Sequence, residues 1–526
     1  MRKDAEALED EEKKAEKLAS LDKIEERIKA RKKFYKKMSK DEVRRYLYVN
    51  GADITYTHLD KKTGEVITDE TIHYKMLYRN PSKAKEGSCM FIREELYQAT
   101  YDWMTMGIGP RLPEKNAKIV ELSAYAPLCA SSTEALFNLD IDQVLILKDQ
   151  DSFFRTIADI VRAEEYEATE YKQVGKKKVP VTVTKKKCVV HREETDVKNT
   201  MWDGMALIEP DALPPGYEDA GMALLRNKFF KACAFKTRIQ LFFKDYCVEH
   251  GLDYDTFEVV DYFGRKHLAK NLKIITTENA TKFKKFSDLL GGDFESAYDY
   301  WCERVREDGC VWGIVKRDHP SKLGNTQRTS YQMINSLPCA EEEMEKICET
   351  SVKYVESLKF DDEEFVRFLR KNANMINSYE MFADLYKWNP GIGKTKFFRF
   401  NKSKIINNYI THLKQGKIVC EGDNLTVCGN PYALLLYSVG ENWEEDPTLK
   451  SELGTIQAYT TRFDDGEYLC GIRSPTNSSN NLAYYHNVRH PIMKRYFDFS
   501  GNILAVNCIH TDVQPRLNGM DSKGQF

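Results

Sequence analysis

The chain of 526 residues lacks most of the features that betray a protein's class at a glance. It has no run of about 18 apolar residues, so no membrane-spanning helix is expected. Its first residues, Met1-Arg2-Lys3-Asp4-Ala5-Glu6, contain no apolar stretch, so no secretory signal is read there. The 13 cysteines are odd in number and scattered, without a Cys-x-x-Cys pair. That disfavours a zinc ribbon or a disulfide framework and fits reduced thiols in a cytoplasmic setting. The 10 histidines are dispersed, with no His-Glu-x-x-His, and no Gly-x-Ser-x-Gly elbow is present. An excess of charge is missing too: 79 Lys+Arg face 81 Asp+Glu, a net charge of −2. A globally basic coat for nucleic acid is thereby excluded, and local basic patches are not.

What is present is enough apolar mass for several cores, 42% of residues, and a length that suggests about three or four domains. Residues 2–45 are almost all charged, Ala or Leu. Leu18, Leu21, Ile24 and Ile28 recur at helical spacing, which predicts a charged helical arm over 1–48. Within it, Arg27 to Lys40 carries eight basic residues and no acid: a solvated helix, or a basic helix touching nucleic acid. Residues 49–195 read as an N-terminal α/β region. Ile72–Tyr78 and Gln143–Lys148 have strand character, and Arg93–Met106 has helical spacing. Lys172–Lys187 holds seven lysines and no acid around the alternating Val179-Pro180-Val181-Thr182-Val183. This predicts a protruding hairpin, either an edge blunted by lysine or a phosphate-contacting arm using Lys176, Lys177, Lys178, Lys185, Lys186 and Lys187.

Residues 196–292 alternate short strands with Gly and Pro turns and form a first β-rich module. Residues 293–394 read as a helical connector, and 395–526 return to short β runs as a second module. The fold class is therefore α+β and multidomain, with two β-rich modules joined by helices. The stretch Asn389-Pro390-Gly391-Ile392-Gly393-Lys394-Thr395 resembles a phosphate loop, but the first required glycine position is Trp388 and no apolar strand leads in. Without strand–loop–helix context the backbone amides do not form the cradle.

The most specific pattern lies in the last 130 or so residues. Gly416-Lys417-Ile418-Val419 precedes Val427-Cys428-Gly429-Asn430-Pro431. Ile472-Arg473-Ser474-Pro475-Thr476-Asn477 follows, and then Asn502 to Asn507 leads to Asn518-Gly519-Met520-Asp521-Ser522-Lys523-Gly524-Gln525. In order and spacing this resembles the catalytic double-psi β-barrel of RNA polymerase large subunits. There a Gly-Lys-Arg-Val strand, a Cys-Gly-Leu-Pro turn, an Asn-Arg-x-Pro-Thr segment and an Asn-Ala-Asp-Phe-Asp-Gly-Asp metal loop occur in turn. Trp202-Asp203-Gly204-Met205 and Phe229–Lys236 resemble the partner barrel of single-chain two-barrel polymerases, which include phage enzymes and the RNA-dependent enzymes of eukaryotic silencing.

The resemblance implies a nucleotidyltransferase with a nucleic-acid template, nucleoside triphosphates and Mg²⁺. It implies two phosphate-binding lysines, from Lys231 or Lys236 and from Lys266 or Lys270. It also implies Arg473, near the incoming ribose, and Asn518 as substrate-binding residues, and Asp521 as a metal ligand. Two cations activate the attacking hydroxyl and stabilise the leaving pyrophosphate, which takes clustered carboxylates. Plain alternatives stand beside these roles: Asp203-Gly204 as a turn, Lys231 and Lys236 as surface lysines, Arg473-Ser474-Pro475 as a strand end, Asp521-Ser522 as a surface turn. The chain also departs from the family. With Asp521 as the first aspartate, the other two positions hold Lys523 and Gln525. An ammonium repels a divalent cation, and an amide is a weak neutral ligand. The match runs to Ser522 and the sequence stops at Phe526, so the expectation is a truncated product without polymerase activity, or else a non-catalytic relative that keeps the scaffold.

Overall fold

The computed structural model describes residues 38–59, 66–79, 89–113, 118–130, 132–174, 177–320, 324–374, 376–452 and 455–520, with isolated positions between 15 and 29. The charged arm predicted over 1–48 therefore lies mostly outside the described residues, as do Lys176, Asp521, Lys523 and Gln525. The chain divides into two compact units: Met1–Thr133 with Arg226–Phe230 and Lys282–Gly313, and the remainder. None of the described helices is long and apolar enough to cross a membrane. All 13 cysteines are free thiols.

The smaller unit contains a three-stranded antiparallel sheet of Ala52–Leu59, Val66–Arg79 and Cys89–Arg93. The predicted helix follows as α1 (Glu94–Thr105), closed by Met106 in the left-handed region at φ 51°. Its aromatic core gathers around Trp301, which stacks on Phe230 and Phe283 and meets Trp312 edge-on. Lys228 is buried here, paired with Asp308 at 2.7 Å and lying 4.8 Å from the Trp103 ring centre. Pairing and the cation–π contact together offset the cost of burying its charge.

The larger unit is built on two sheets. The first contains β1 (Ala135–Asn138), β2 (Val144–Leu147), β5 (Met205–Ile208), β6 (Met222–Asn227), β7 (Phe230–Lys236), β8 (Ile274–Thr277) and β9 (Val311–Arg317), ordered β1-β9-β6-β7-β5-β8-β2. Between β2 and β5 runs a hairpin of β3 (Asp151–Val174) and β4 (Lys177–Thr200). The second sheet orders β10 (Thr426–Cys428), β14 (Ile503–Val506), β11 (Thr455–Tyr459), β13 (Leu482–Asn487) and β12 (Tyr468–Ile472), with a short strand at Ser451–Glu452 pairing β11. These strands are rich in Val, Ile, Leu and aromatics, and several (β2, β5, β14) are buried on both faces.

The two sheets repeat one topology. In the first, β2 is parallel to β8, β8 antiparallel to β5, and β5 parallel to β7. In the second, β10 is parallel to β14, β14 antiparallel to β11, and β11 parallel to β13. Numbered in chain order, both read 1-4-2-3 with the same parallel–antiparallel–parallel signs. No short repeat in the sequence announces this, because β pairing constrains pattern far more than residue identity. The expectation of two related β-rich modules is met at the level of topology. The segments beyond the third strands meet each other: Thr237 bridges Phe497, Arg238 N–H donates to Tyr496 O at 2.7 Å, and Asp498 N–H donates to Lys236 O at 3.2 Å. One hydrophobic core runs through both sheets, from Leu145, Trp202 and Phe235 to Val427, Leu504 and Tyr485.

Three boundaries differ from the sequence reading. The first sheet takes strands from 135–147 and 311–317, outside the 196–292 module, because Val311-Trp312-Gly313-Ile314-Val315 is an apolar, β-branched run. The helices extend past 394: α2 (Glu341–Phe360), α3 (Asp362–Lys371) and α4 (Tyr379–Trp388) are followed by α5 (Lys396–Lys414). The aromatic-rich start of α5 looks β-prone, but Phe398, Lys402, Ile405, Ile406 and Tyr409 form a buried stripe at helical spacing, capped by Thr395. Finally, the segment likened to the Gly-Lys-Arg-Val strand lies outside the second sheet. Val419–Glu421 instead pairs with Thr326–Arg328.

Candidate functional site

The segment leading to Asp521 is held from three sides. Arg473, just beyond β12, donates through Nη1 to the carbonyls of Leu517 and Asn518, both at 3.1 Å. Asn518, at φ 54°, returns a side-chain hydrogen bond to Pro475 O. Asn481 Nδ2 donates to Arg516 O at 2.8 Å. From the foot of the hairpin, Asn199 Nδ2 donates to Cys508 O at 2.8 Å and Thr511 O at 2.7 Å, while Gln514 clasps the backbone of Thr200 from both sides. Arg473 and Asn518, far apart in sequence, are thereby brought into direct hydrogen-bond contact.

Beneath this segment lies a buried polar knot. Asn430, following β10, donates through Nδ2 to Asn507 Oδ1 and Asp446 Oδ2, each at 3.0 Å, and accepts from Cys508 N–H at 2.8 Å. Its carbonyl accepts the Trp202 indole N–H at 3.0 Å. Asp446 is also bonded by Thr448 N–H and Oγ1, and burial pushes its carboxyl above the usual carboxylate range. Asn430 and Asn507 belong to the segments that carry the polymerase resemblance, and here they are satisfied interior groups tying strand ends together.

The first sheet has a counterpart. Register equates Ile274 of β8 with Ile503 of β14, and Val144 of β2 with Thr426 of β10. Glu278 then matches Asn507, and Asp149 stands one residue beyond the match of Asn430. Asp149 N–H donates to Glu278 Oε2 at 2.6 Å. The Asp149 carboxylate accepts from Gln150 N–H, Trp202 N–H, Thr277 Oγ1 and Asn279 Nδ2. Burial outweighs these bonds and pushes its pKa up to about 6. Sequence reading missed both cross-links, since a lone Asp or Asn after a strand reads as an ordinary turn residue.

The four candidate phosphate lysines are spread out. Lys231 and Lys236 lie five residues apart on β7 and so point to opposite faces. Lys236 is buried, donating to Glu218 O at 2.6 Å and paired with Asp498 at 2.9 Å. Lys231 is half-buried. Lys266 pairs with Glu258 at 3.0 Å and Lys270 with Asp255 at 3.2 Å. Asp203-Gly204 forms the turn into β5, with Gly204 at φ 72°. On the hairpin, Lys185 pairs with Glu170 at 2.7 Å and Lys186 with Glu165 at 3.4 Å, and Lys187 stands opposite Glu164. Lys178 and the backbone of Lys177 lie at the distal end.

No group of three or more His, Cys, Asp or Glu among the described residues is arranged to hold a metal ion. The nearby Asp512 is engaged by Arg516 through Nε at 3.1 Å and Nη2 at 2.6 Å. The loop itself offers one carboxylate, one ammonium and one amide, from Asp521, Lys523 and Gln525. That donor set does not fit a pair of divalent cations.

No family model matches the chain, and no curated protein matches it. Among solved structures, the RNA-dependent RNA polymerase QDE-1 from Thielavia terrestris is similar at a TM-score of 0.45 and 11% identity. The match covers 86% of this chain and 44% of that one, so the chain spans less than half the length of that structure. At that TM-score and identity it fixes no residue correspondence.

Proposed function

We propose that the chain is an RNA polymerase-like scaffold of the two-barrel type, with two double-psi β-barrel modules, that engages nucleic acid and nucleoside triphosphates. With Lys523 and Gln525 in the loop that needs carboxylates, it does not itself join nucleotides. The observation that carries this reading is the repeated 1-4-2-3 topology, which puts the resembling segments 426–430, 473–477 and 502–518 around one sheet and a matching sheet beside it in the chain. The clasp of Arg473 on Leu517 and Asn518 supports it, because a rigid base is what a charge-bearing loop needs. In this reading Arg473 and Asn518 face the ribose, Asp521 is the remaining acid, and phosphate contacts come from among Lys231, Lys236, Lys266 and Lys270.

The test is incorporation of radiolabelled nucleotide on primed and single-stranded DNA and RNA templates, with Mg²⁺ or Mn²⁺, alongside binding of the labelled template. No template-dependent product and salt-dependent binding are expected. Template-dependent product would overturn the inactivity, and absence of any binding would overturn the scaffold. A second reading is a non-catalytic nucleic-acid-binding or scaffold protein that uses segments 27–40 and 172–187. It is favoured by the length of the hairpin, whose strands of 24 residues project a lysine-rich end.

A further inference from the structure

The turn at 391–395, which lacks the strand–loop–helix context of a nucleotide phosphate loop, lies beside a cavity. Gly391-Ile392-Gly393-Lys394-Thr395 forms a short 3-10 turn into α5, and Gly393 lets it pack closely: a Cβ there would stand 2.7 Å from the Asp362 carboxylate, which would have to shift. The turn borders a cavity of 540 Å³ lined from α2, α3 and α5. That volume is in the range of small-ligand sites. Four cationic side chains reach it, Lys359, Lys394, Arg399 and Lys402, against one carboxylate, Asp362, a net of +3. Lys402 is nine-tenths buried and spends its charge on Asp362 at 2.6 Å. Lys359, Lys394 and Arg399 are exposed and have no carboxylate within ion-pair distance among the described residues. Asn407 adds a neutral amide to the wall.

Aromatic rings accompany the cations. Phe360 lines the cavity at 87% exposure, and Phe400, next to Arg399, is 70% exposed. A single exposed aromatic means little. Unpaired cations with an exposed aromatic ring at the same cavity are the combination that holds single-stranded nucleic acid, cations on the phosphates and the ring on a base. We infer that the cavity bounded by Lys359, Lys394 and Arg399 is a binding site for single-stranded nucleic acid, with a phosphodiester at the cations and a base stacked on Phe360. It shares its ligand class with the polymerase reading, but it rests on the helices alone and its failure leaves the paired sheets untouched.

The experiment is fluorescence anisotropy of the full chain with 5′-labelled U12 and dT12, titrated at several salt concentrations. In Lys394→Glu/Arg399→Glu the dissociation constant should rise at least tenfold, and the log–log salt slope should fall by about 1.4, two phosphates at ~0.7 each. Phe360→Ala should weaken binding roughly five- to tenfold with the slope unchanged. Lys346→Glu, exposed on the far end of α2, is the control and should bind as the natural chain does. All substituted positions are exposed, and circular dichroism checks that each variant folds. Unchanged affinity in the double variant overturns the site. Equal losses with Lys346→Glu overturn it as well. A Phe360→Ala variant that binds normally, or equal affinity for a 12-base-pair duplex, reduces it to a plain anion site and overturns the single-strand assignment.

Discussion

Asn430 shows how one side chain can matter without touching a substrate. Replacing it by Ala leaves Asp446, Asn507 and Cys508 N–H short of partners in a fully buried setting. Orphaned buried polar groups cost about 1–3 kcal/mol each, so Asn430→Ala should lose roughly 3 kcal/mol in urea unfolding. A loss under ~0.5 kcal/mol would contradict the knot. Asp149 makes the second residue-scale prediction. Its folded pKa is raised to about 6 by burial, above the unfolded value near 3.9. The folded state therefore binds this proton more tightly, and stability is lost as pH rises through the window from about 4 to 6. Going from pH 7 to pH 5 should return about 1.4 kcal/mol, and Asp149→Asn should flatten that dependence. Below pH 4 the trend reverses as Asp245, held low by Arg495, and Asp361, held low by backbone N–H donors at its helix start, are protonated. Of the candidate site, segment order in the sequence singled out Arg473 and Asn518, but not the hydrogen bond that joins them. The Asp149–Glu278 link was not legible, since its meaning depends on a register between strands some 130 residues apart.

Among the elements, the hairpin and α5 teach opposite lessons. The hairpin over 172–187 was readable from alternation and lysine content, but its true span, Asp151–Thr200, was not. The lower part is masked by charges that pair across the strands: Arg155 with Glu194 and Asp196, Arg162 with Glu193, and His191 with Glu164. At ~3.4 Å per residue each strand reaches about 80 Å, and a two-stranded ribbon of that length is marginal without such pairs. The pairing also divides the lysines. Lys177→Ser/Lys178→Ser at the distal end should weaken template binding and lower the salt slope. Lys185→Ser/Lys186→Ser should weaken it more, because it also uncovers Glu170 and Glu165. Equal and negligible effects in filter binding would remove the hairpin from the nucleic-acid surface. Helix α5 was misread because Phe397, Phe398 and Phe400 have β character locally, while the deciding signal, the stripe from Phe398 to Tyr409, emerges only over three turns.

For the whole molecule, the repeated topology links sequence to function. Composition gave two β-rich regions and a helical connector, and pairing turned them into two sheets of one design sharing a core. The first sheet closes its strand ends with an acidic pair, and the second with amides and a clasped segment that runs on to Asp521. That asymmetry fits a scaffold in which one sheet supports and the other presents a loop. The central claim of the proposal is that Asp521, Lys523 and Gln525 stand in a loop that binds cations only when its second and third positions are carboxylates. The most direct measurement is Mn²⁺ titration followed by electron paramagnetic resonance, comparing the natural chain with Lys523→Asp/Gln525→Asp. The account predicts no saturable binding by the natural chain and at least one Mn²⁺ bound at micromolar concentration by the double variant. Binding of equal strength by both, or by neither, would contradict it.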